Sequence, residues 1–525
     1  MPSKRPSITT AGMAAGVASV AVLLIYVLRL DRAAGMMVDD AWYMLLAKAL
    51  AEGKGYRLIS SPSGAILPNY PPGFPAVLSP AFWLVPEFPD NIWLLKSISI
   101  FAMGGVGGLT YLYVHRCRGL ARDLSACAAI AVAMTPAFVF LATSTVMSEC
   151  VFTFAQLLTV VLIHFSIDSA ESRKATRLVV LAGLVAAATV LIRSAAVGLV
   201  LAVVMLLLKE RLWRQAVWFG GVAAICVLPW MVHARAHAPS AQDRAAHGGA
   251  VVYSYADQFW MRWAGTPEMG QATVADLPER VATNVVDIFA RDVGGILVPT
   301  LFRGSAESGQ EVVALGGKAG LSSGSMGSAG ATMIISLALS AIALLGFIRA
   351  MQERATAAEM LVPVALAIVT VWPFWSFRFV LPLTPFLFFY FVRGVQVVAP
   401  RAARIGLLSI VGLGLFDHAG YILFPRPPDV DWVAQAREVD AAIDWIGTNL
   451  DGREGLAASN PPLIFLRTGR KSIAFDHFSG DWATWKARGI RYIACLVPLE
   501  LPSGRSGAYR VLYRSPKRLW VIAIE

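Results

Sequence analysis

Long apolar runs separated by short charged turns dominate this chain. Nearly uninterrupted apolar stretches fall at 8–30, 92–114, 123–142, 150–167, 178–193, 195–208, 214–233, 331–349, 356–375, 377–393 and 404–424. A helix of about 20 apolar residues crosses a bilayer, so the pattern predicts about 11 transmembrane helices. Two short runs meet at Arg193-Ser194 and predict either a helical hairpin or a broken helix. The first run follows Lys4 and Arg5 and is too long for a signal-peptide core, so it is read as a retained span. "GGVGG" at 104–108 lies inside a run and predicts close helix packing.

The pattern changes after the last run. "AREVDAAIDWIGTNL" sets apolar Val439, Ile443 and Ile446 on one face of a helix. "RYIACLVP" and "RLWVIAIE" read as short buried strands. The predicted fold class is therefore an all-α polytopic membrane domain over 1–424, followed by a small α/β domain over 425–525.

Charge then orients the chain. With the N-terminus inside, "HRCRGLARD", "DSAESRKATR", "KERLWR", "RAMQER" and "RGVQVVAPRAAR" are cytoplasmic, each with two or three Lys or Arg. The opposite turns, "TSTVMSE", Arg193-Ser194 and "WSFRF", carry one Arg or none. That is the positive-inside pattern of a protein of the cytoplasmic (inner) membrane. It places 31–91, 234–330 and the tail on the outer face. The second of these pieces holds aromatic-rich "YSYADQFWMRWAG" and a flexible "GGKAGLSSGSMGSAG".

Composition agrees with a membrane chain. Of 525 residues, 57% are hydrophobic and only 15% charged, with mean hydropathy +0.61. The formal charge of +11 is largely explained by topology, so a nucleic-acid partner is not implied. The cysteines Cys117, Cys127, Cys150, Cys226 and Cys495 form no CxxC and suggest no disulfide framework. No Walker loop is present, so nothing points to ATP-driven transport.

Candidate chemistry gathers on the outer face. In "MVDDAWYMLLAKALAEGKGY", Asp39 and Asp40 follow the first span and precede an amphipathic helix. Asp39 is a natural N-cap and Asp40 suits the positive end of the helix dipole. Either acid could also serve as a general base at the membrane–water boundary. In "LPNYPPGFPAVLSPAFWLVP", Pro71, Pro72 and Pro75 predict a rigid turn in place of a regular helix, with Asn69 and Tyr70 as polar groups beside it. Glu149 opens a span and could cap it. Arg193 and Arg378 lie at the same outer level, where an arginine in or near lipid is either a snorkelling cation or paired. Facing two aspartates, guanidinium groups suit a phosphate-bearing substrate.

The acidic pair after the first span, "AWYMLLAKALAEGKGY" and "YPPGFP", in that order, resemble the first external loop of the GT-C membrane glycosyltransferases. The resemblance is to the branch of the protein O-mannosyltransferases and the lipid A aminoarabinose transferase. "VLIRSAAVG" and "RFVLPLTPF" are similar to segments of its bacterial members, so the resemblance covers about 1–425. It implies a sugar donor linked to polyprenyl phosphate and an inverting transfer to an extracytoplasmic acceptor, whether protein, glycan or lipid. It further implies Asp39 as the base, Asp40 in the second acidic position, and Arg193 and Arg378 on the lipid phosphate. The aminoarabinose branch has a lysine before its proline pair where this chain has Tyr70, which implies a different phosphate contact. Some GT-C enzymes use a metal, so the paired aspartates leave room for a divalent cation. The rival reading is a transporter or flippase of a lipid-linked envelope intermediate, although internal repeats and midplane polar residues are not evident.

Overall fold

The computed structural model describes residues 10–62, 67, 69–247, 249–264, 267–299, 326–424, 431–475, 482–501, 509–516 and 518–525. All eleven apolar runs carry helix over their described residues. Among the described residues, seven helices are long and apolar enough to cross a membrane: Ile92–Cys117, Glu149–Ile167, Ser172–Ile192, Trp213–Ala236, Gly330–Glu353, Phe377–Val398 and Ala402–Leu423. An eighth candidate is the pair Arg122–Ala133 and Pro136–Thr143, bent by 48°. The bend falls where Pro136 opens the second helix, since proline cannot donate to the turn before it. Apolar helices at Val20–Arg29, Ser194–Lys209 and Ala357–Val371 occupy the other three runs and are shorter over their described residues. Among the described residues, helix length thus supports seven or eight spans, and the expected count of about 11 is not confirmed.

The Pro-rich stretch corrects the expectation of a turn. Gly73–Leu84 is a helix. Pro72 is its N-cap and Pro75 lies in its first turn, where the missing N–H costs nothing; Pro80 lies inside it. The helix starts tight against the end of the Ser172–Ile192 helix. A Cβ on Gly73 would lie 2.6 Å from the Leu191 carbonyl oxygen, so only glycine permits this approach. Of the Gly cluster, Gly105 packs closely, against the Phe154 ring, and Gly107 lies in ordinary contact with Ala133, while Gly104 and Gly108 face open space.

At the end of the bundle that holds the predicted inside loops, Thr356 and Glu359 form a buried capping box. Glu359 also receives Arg118 at 3.4 Å, and Arg354 pairs with Asp168 at 2.5 Å. These contacts tie the short charged turns together.

The tail folds around a five-stranded sheet in the order β2-β1-β3-β5-β4. Its strands are β1 (Gly455–Ala458), β2 (Ile473–Ala474), β3 (Ile490–Cys495), β4 (Tyr509–Arg514) and β5 (Trp520–Ile524). β2, β1 and β3 run parallel, and β5 and β4 join antiparallel. Alternation along the strands sends Ala457, Ile493 and Ile522 to one face, with Trp485. Leu456, Ala494 and Val521 go to the other, with Val439, Ile443 and Ile446 of the helix Trp432–Asn449. The expected junction at 424/425 and part of "GGKAGLSSGSMGSAG" lie outside the described residues.

The tail rests on the first long loop and on the end of the bundle. Trp432 Nε1 donates to the Ser144 carbonyl at 3.1 Å, and Ser472 N donates to the Ser60 carbonyl at 3.0 Å.

Candidate active site

Asp39 and Asp40 are the first two residues of the helix Asp39–Ala51. The N-cap is Val38, which makes no side-chain cap and has φ 64°, so the expectation of Asp39 as N-cap is corrected. Asp40 does the local work. Its Oδ2 accepts from Gly35 N at 2.8 Å, and its Oδ1 accepts from Met37 N and Ala41 N, both at 3.0 Å. Asp40 is fully buried. Burial pushes its carboxyl up to about 6, with the Gly35 N–H opposing.

Asp39 points the other way, into a cluster of charges. Arg378 Nη1 and Nη2 lie 3.2 and 3.1 Å from Asp39 Oδ2. The Tyr70 hydroxyl donates to Asp39 Oδ1 at 2.8 Å. Burial, then the Asp39 charge, hold the Tyr70 phenol well above its ordinary range, so it stays a donor. Behind this pair, Glu149 Oε1 receives Arg378 Nε at 3.0 Å, Arg378 Nη2 at 2.8 Å and Arg193 Nη1 at 2.7 Å. The N-cap of its helix is Ser148, so Glu149 is the counter-ion of both arginines rather than a cap. The snorkelling alternative for Arg193 and Arg378 is likewise replaced by pairing, as expected of charge near lipid.

The cluster is graded in exposure. Side-chain exposure is 31% for Asp39, 9% for Arg378 and 0% for Glu149. Asp39 is thus the solvent-exposed member of the cluster and Glu149 its buried end. The Ser172–Ile192 helix ends at Arg193 in extended backbone. This break sets the guanidinium between the Phe152 and Phe379 rings and 3.3 Å from Ser148 Oγ.

Asn69 is not brought to the charges by any described contact. Its backbone N–H donates to the Val251 carbonyl at 2.9 Å, and its side-chain Oδ1 is buried with no partner among the described residues.

Two groups went unrecognised in the sequence. Tyr43 stacks between Tyr70 and Phe74, with ring centroids 5.0 Å from each. Tyr255, from the second long loop, is buried beside Ser194 and lies within the fields of Arg193 and Asp39. The usable signal for Tyr255 was the Ser254/Asp257 capping box, which starts the short helix Tyr255–Phe259 in the aromatic segment.

The two aspartates do not fit a divalent cation. Asp40 spends both oxygens on backbone amides, and Asp39 spends both on Arg378 and Tyr70. Among the described residues no group of three His, Cys, Asp or Glu could hold a metal.

No family model matches the sequence, and no curated protein matches it. Solved structures match its shape. The oligosaccharyltransferase of Archaeoglobus fulgidus, in complex with Zn and sulfate, aligns with TM-score 0.54 and 14% identity, covering 97% of this chain and 73% of that one. AglB of the same organism, in complex with an inhibitory peptide and a dolichol-phosphate, aligns with TM-score 0.54 and 12% identity, over 91% and 69% of the two chains. ArnT from Cupriavidus metallidurans bound to undecaprenyl phosphate aligns over 98% of both chains at 13% identity, but its TM-score of 0.47 carries no argument. Identities this low speak for fold alone, and by fold the chain is similar to the GT-C membrane proteins.

Proposed function

We propose that the protein is an integral membrane glycosyltransferase. It moves a sugar from a polyprenyl-phosphate carrier, with inversion, to an acceptor outside the cytoplasm. The observation that carries this reading is the meeting of Asp39, Arg378, Glu149 and Arg193 at the mouth of one end of an apolar helix bundle. The fold likeness to AglB, solved with a dolichol-phosphate, supports the same donor chemistry.

Arg378 is held by Asp39. A lipid phosphate entering the mouth competes for that guanidinium, since the fork suits phosphate as well as carboxylate. Capture of the phosphate releases the Asp39 carboxylate beside the sugar. Asp39 then takes the proton of the acceptor hydroxyl, whose oxygen attacks the anomeric carbon from the face opposite the leaving group. The carbon–oxygen bond to phosphate breaks, and Arg378 and Arg193 stabilise the departing phosphate charge. Glu149 keeps the two arginines parallel in charge balance throughout. Asp40 shapes the loop and does not touch substrate. Tyr70, Tyr43 and Tyr255 supply aromatic wall and hydrogen-bonding edges for the sugar, and Asn69 lies in the same loop as Tyr70, one residue before it. The donor, acceptor and bilayer are the partners of this reaction.

The charged loops support a cytoplasmic-membrane location with residues 425–525 as an outer domain beside the membrane domain of 1–424.

The test is transfer of radiolabel. Membranes carrying wild type or Asp39→Asn are offered a panel of polyprenyl-phosphate sugars. Label leaving its carrier only with wild type is the expected result. Label that crosses the bilayer on its carrier, equally in both, would make the protein a transporter.

A further inference from the structure

In open α/β sheets, ligands settle beyond the carboxyl ends of parallel strands, where neighbouring connections diverge. In the tail that place lies past β1 and β3. Ser459 N donates to the Ala494 carbonyl at 3.1 Å, and Leu496 N donates to Ser459 Oγ at 2.9 Å. The group seated there belongs to the protein itself. Asn460 Nδ2 donates to the Gly35 carbonyl at 2.7 Å, and Asn460 is buried. Three residues on, Leu463 lies so close that a Cβ on Gly35 would meet its Cδ1 at 2.5 Å. Gly35 needs that freedom twice, because its φ is +83°.

Gly35 is therefore gripped from two sides. Its carbonyl is held by Asn460 of the tail and its N–H by Asp40 of the membrane domain. Between Gly35 and Asp39 lies Val38 at φ 64°, a conformation that a β-branched residue avoids unless its surroundings impose it. Val38 and Phe465 of the tail helix Pro461–Thr468 both pack on the apolar cluster of Trp42, Leu45 and Leu46. Asp39, the next residue, is the one that meets Arg378 and Tyr70.

We infer that the C-terminal domain is the template of the active loop, with Asn460 as a positioning residue that keeps Asp39 aimed at the charge cluster. The catalytic half of this inference rests on the glycosyltransferase reading; the clamp itself does not.

The experiment uses the full chain in detergent micelles. Asn460→Asp keeps the oxygen that accepts Leu463 N and caps the tail helix, but it removes the donor to Gly35. Asn460→Ala removes both. Hydrogen exchange over 33–42 and steady-state transfer, with the donor found in the panel assay, are measured side by side. For Asn460→Asp the expected result is exchange about tenfold faster confined to that segment, and kcat lower by about tenfold with KM for the donor unchanged. Exchange at the wild-type rate in both variants would overturn the clamp. Faster exchange with wild-type kcat would overturn the positioning role. If the wild-type protein transfers no sugar, the glycosyltransferase reading and the positioning role fall with it, while the exchange result still decides the clamp.

Discussion

Arg378 meets Asp39 with both terminal nitrogens, at 3.2 and 3.1 Å from one carboxylate oxygen, while its Nε lies 3.0 Å from Glu149. One planar group thus joins the open acid to the buried one. Lysine offers a point charge and cannot span the two. Arg378→Lys is expected to lower the transfer rate by about 100-fold, close to 3 kcal/mol of barrier. Initial rates at saturating donor measure this, and a rate within twofold of wild type would remove Arg378 from the phosphate role.

Glu149 neutralises two arginines from a fully buried position. Removing one member of such a network leaves charge uncompensated. Glu149→Gln is expected to cost about 3 kcal/mol of stability. Thermal unfolding in detergent reports the loss, and an unchanged midpoint would mean that water already serves the arginines.

Asp40 makes stability depend on pH. Its folded pKa of about 6 lies above the ordinary carboxylate value, with burial as the leading cause. The folded state therefore binds the proton more tightly than the unfolded chain does. Stability is lost as pH rises from about 4 to about 6 and is level above that, a change of about 3 kcal/mol. Asp40→Asn has no proton to lose there. The stability of wild type relative to Asp40→Asn should fall by that amount across this window. Parallel melting curves of the two proteins from pH 4 to 7 would refute the assignment.

Gly346 and Gly394 let two long helices touch backbone to backbone. A Cβ on Gly346 would collide with the Tyr390 carbonyl, and one on Gly394 with the Ile342 carbonyl. Gly346→Ala must push the helices Met326–Glu353 and Thr384–Val398 apart, at a cost of about 3 kcal/mol. Size-exclusion profiles of the detergent-solubilised variant should show loss of the folded peak. A wild-type profile would mean the helices can slide without harm.

Hydrophobic pattern alone determined that the eleven long apolar runs are helical. Each apolar run became helix because lipid and core alike demand that backbone groups be satisfied within the segment. The helix and strands of the tail followed their periods in the same way. Proline misled at 71–75, because it breaks a helix interior but not a first turn. Tertiary structure alone decided the site. Asp39 and Asp40 are neighbours in sequence, yet one faces the arginines and the other is turned inward onto the Gly35 and Met37 amides. Glu149 and Arg378 are 229 positions apart and share a hydrogen bond. No local rule pairs them, because a buried charge takes whichever opposite charge the packed helices bring within reach.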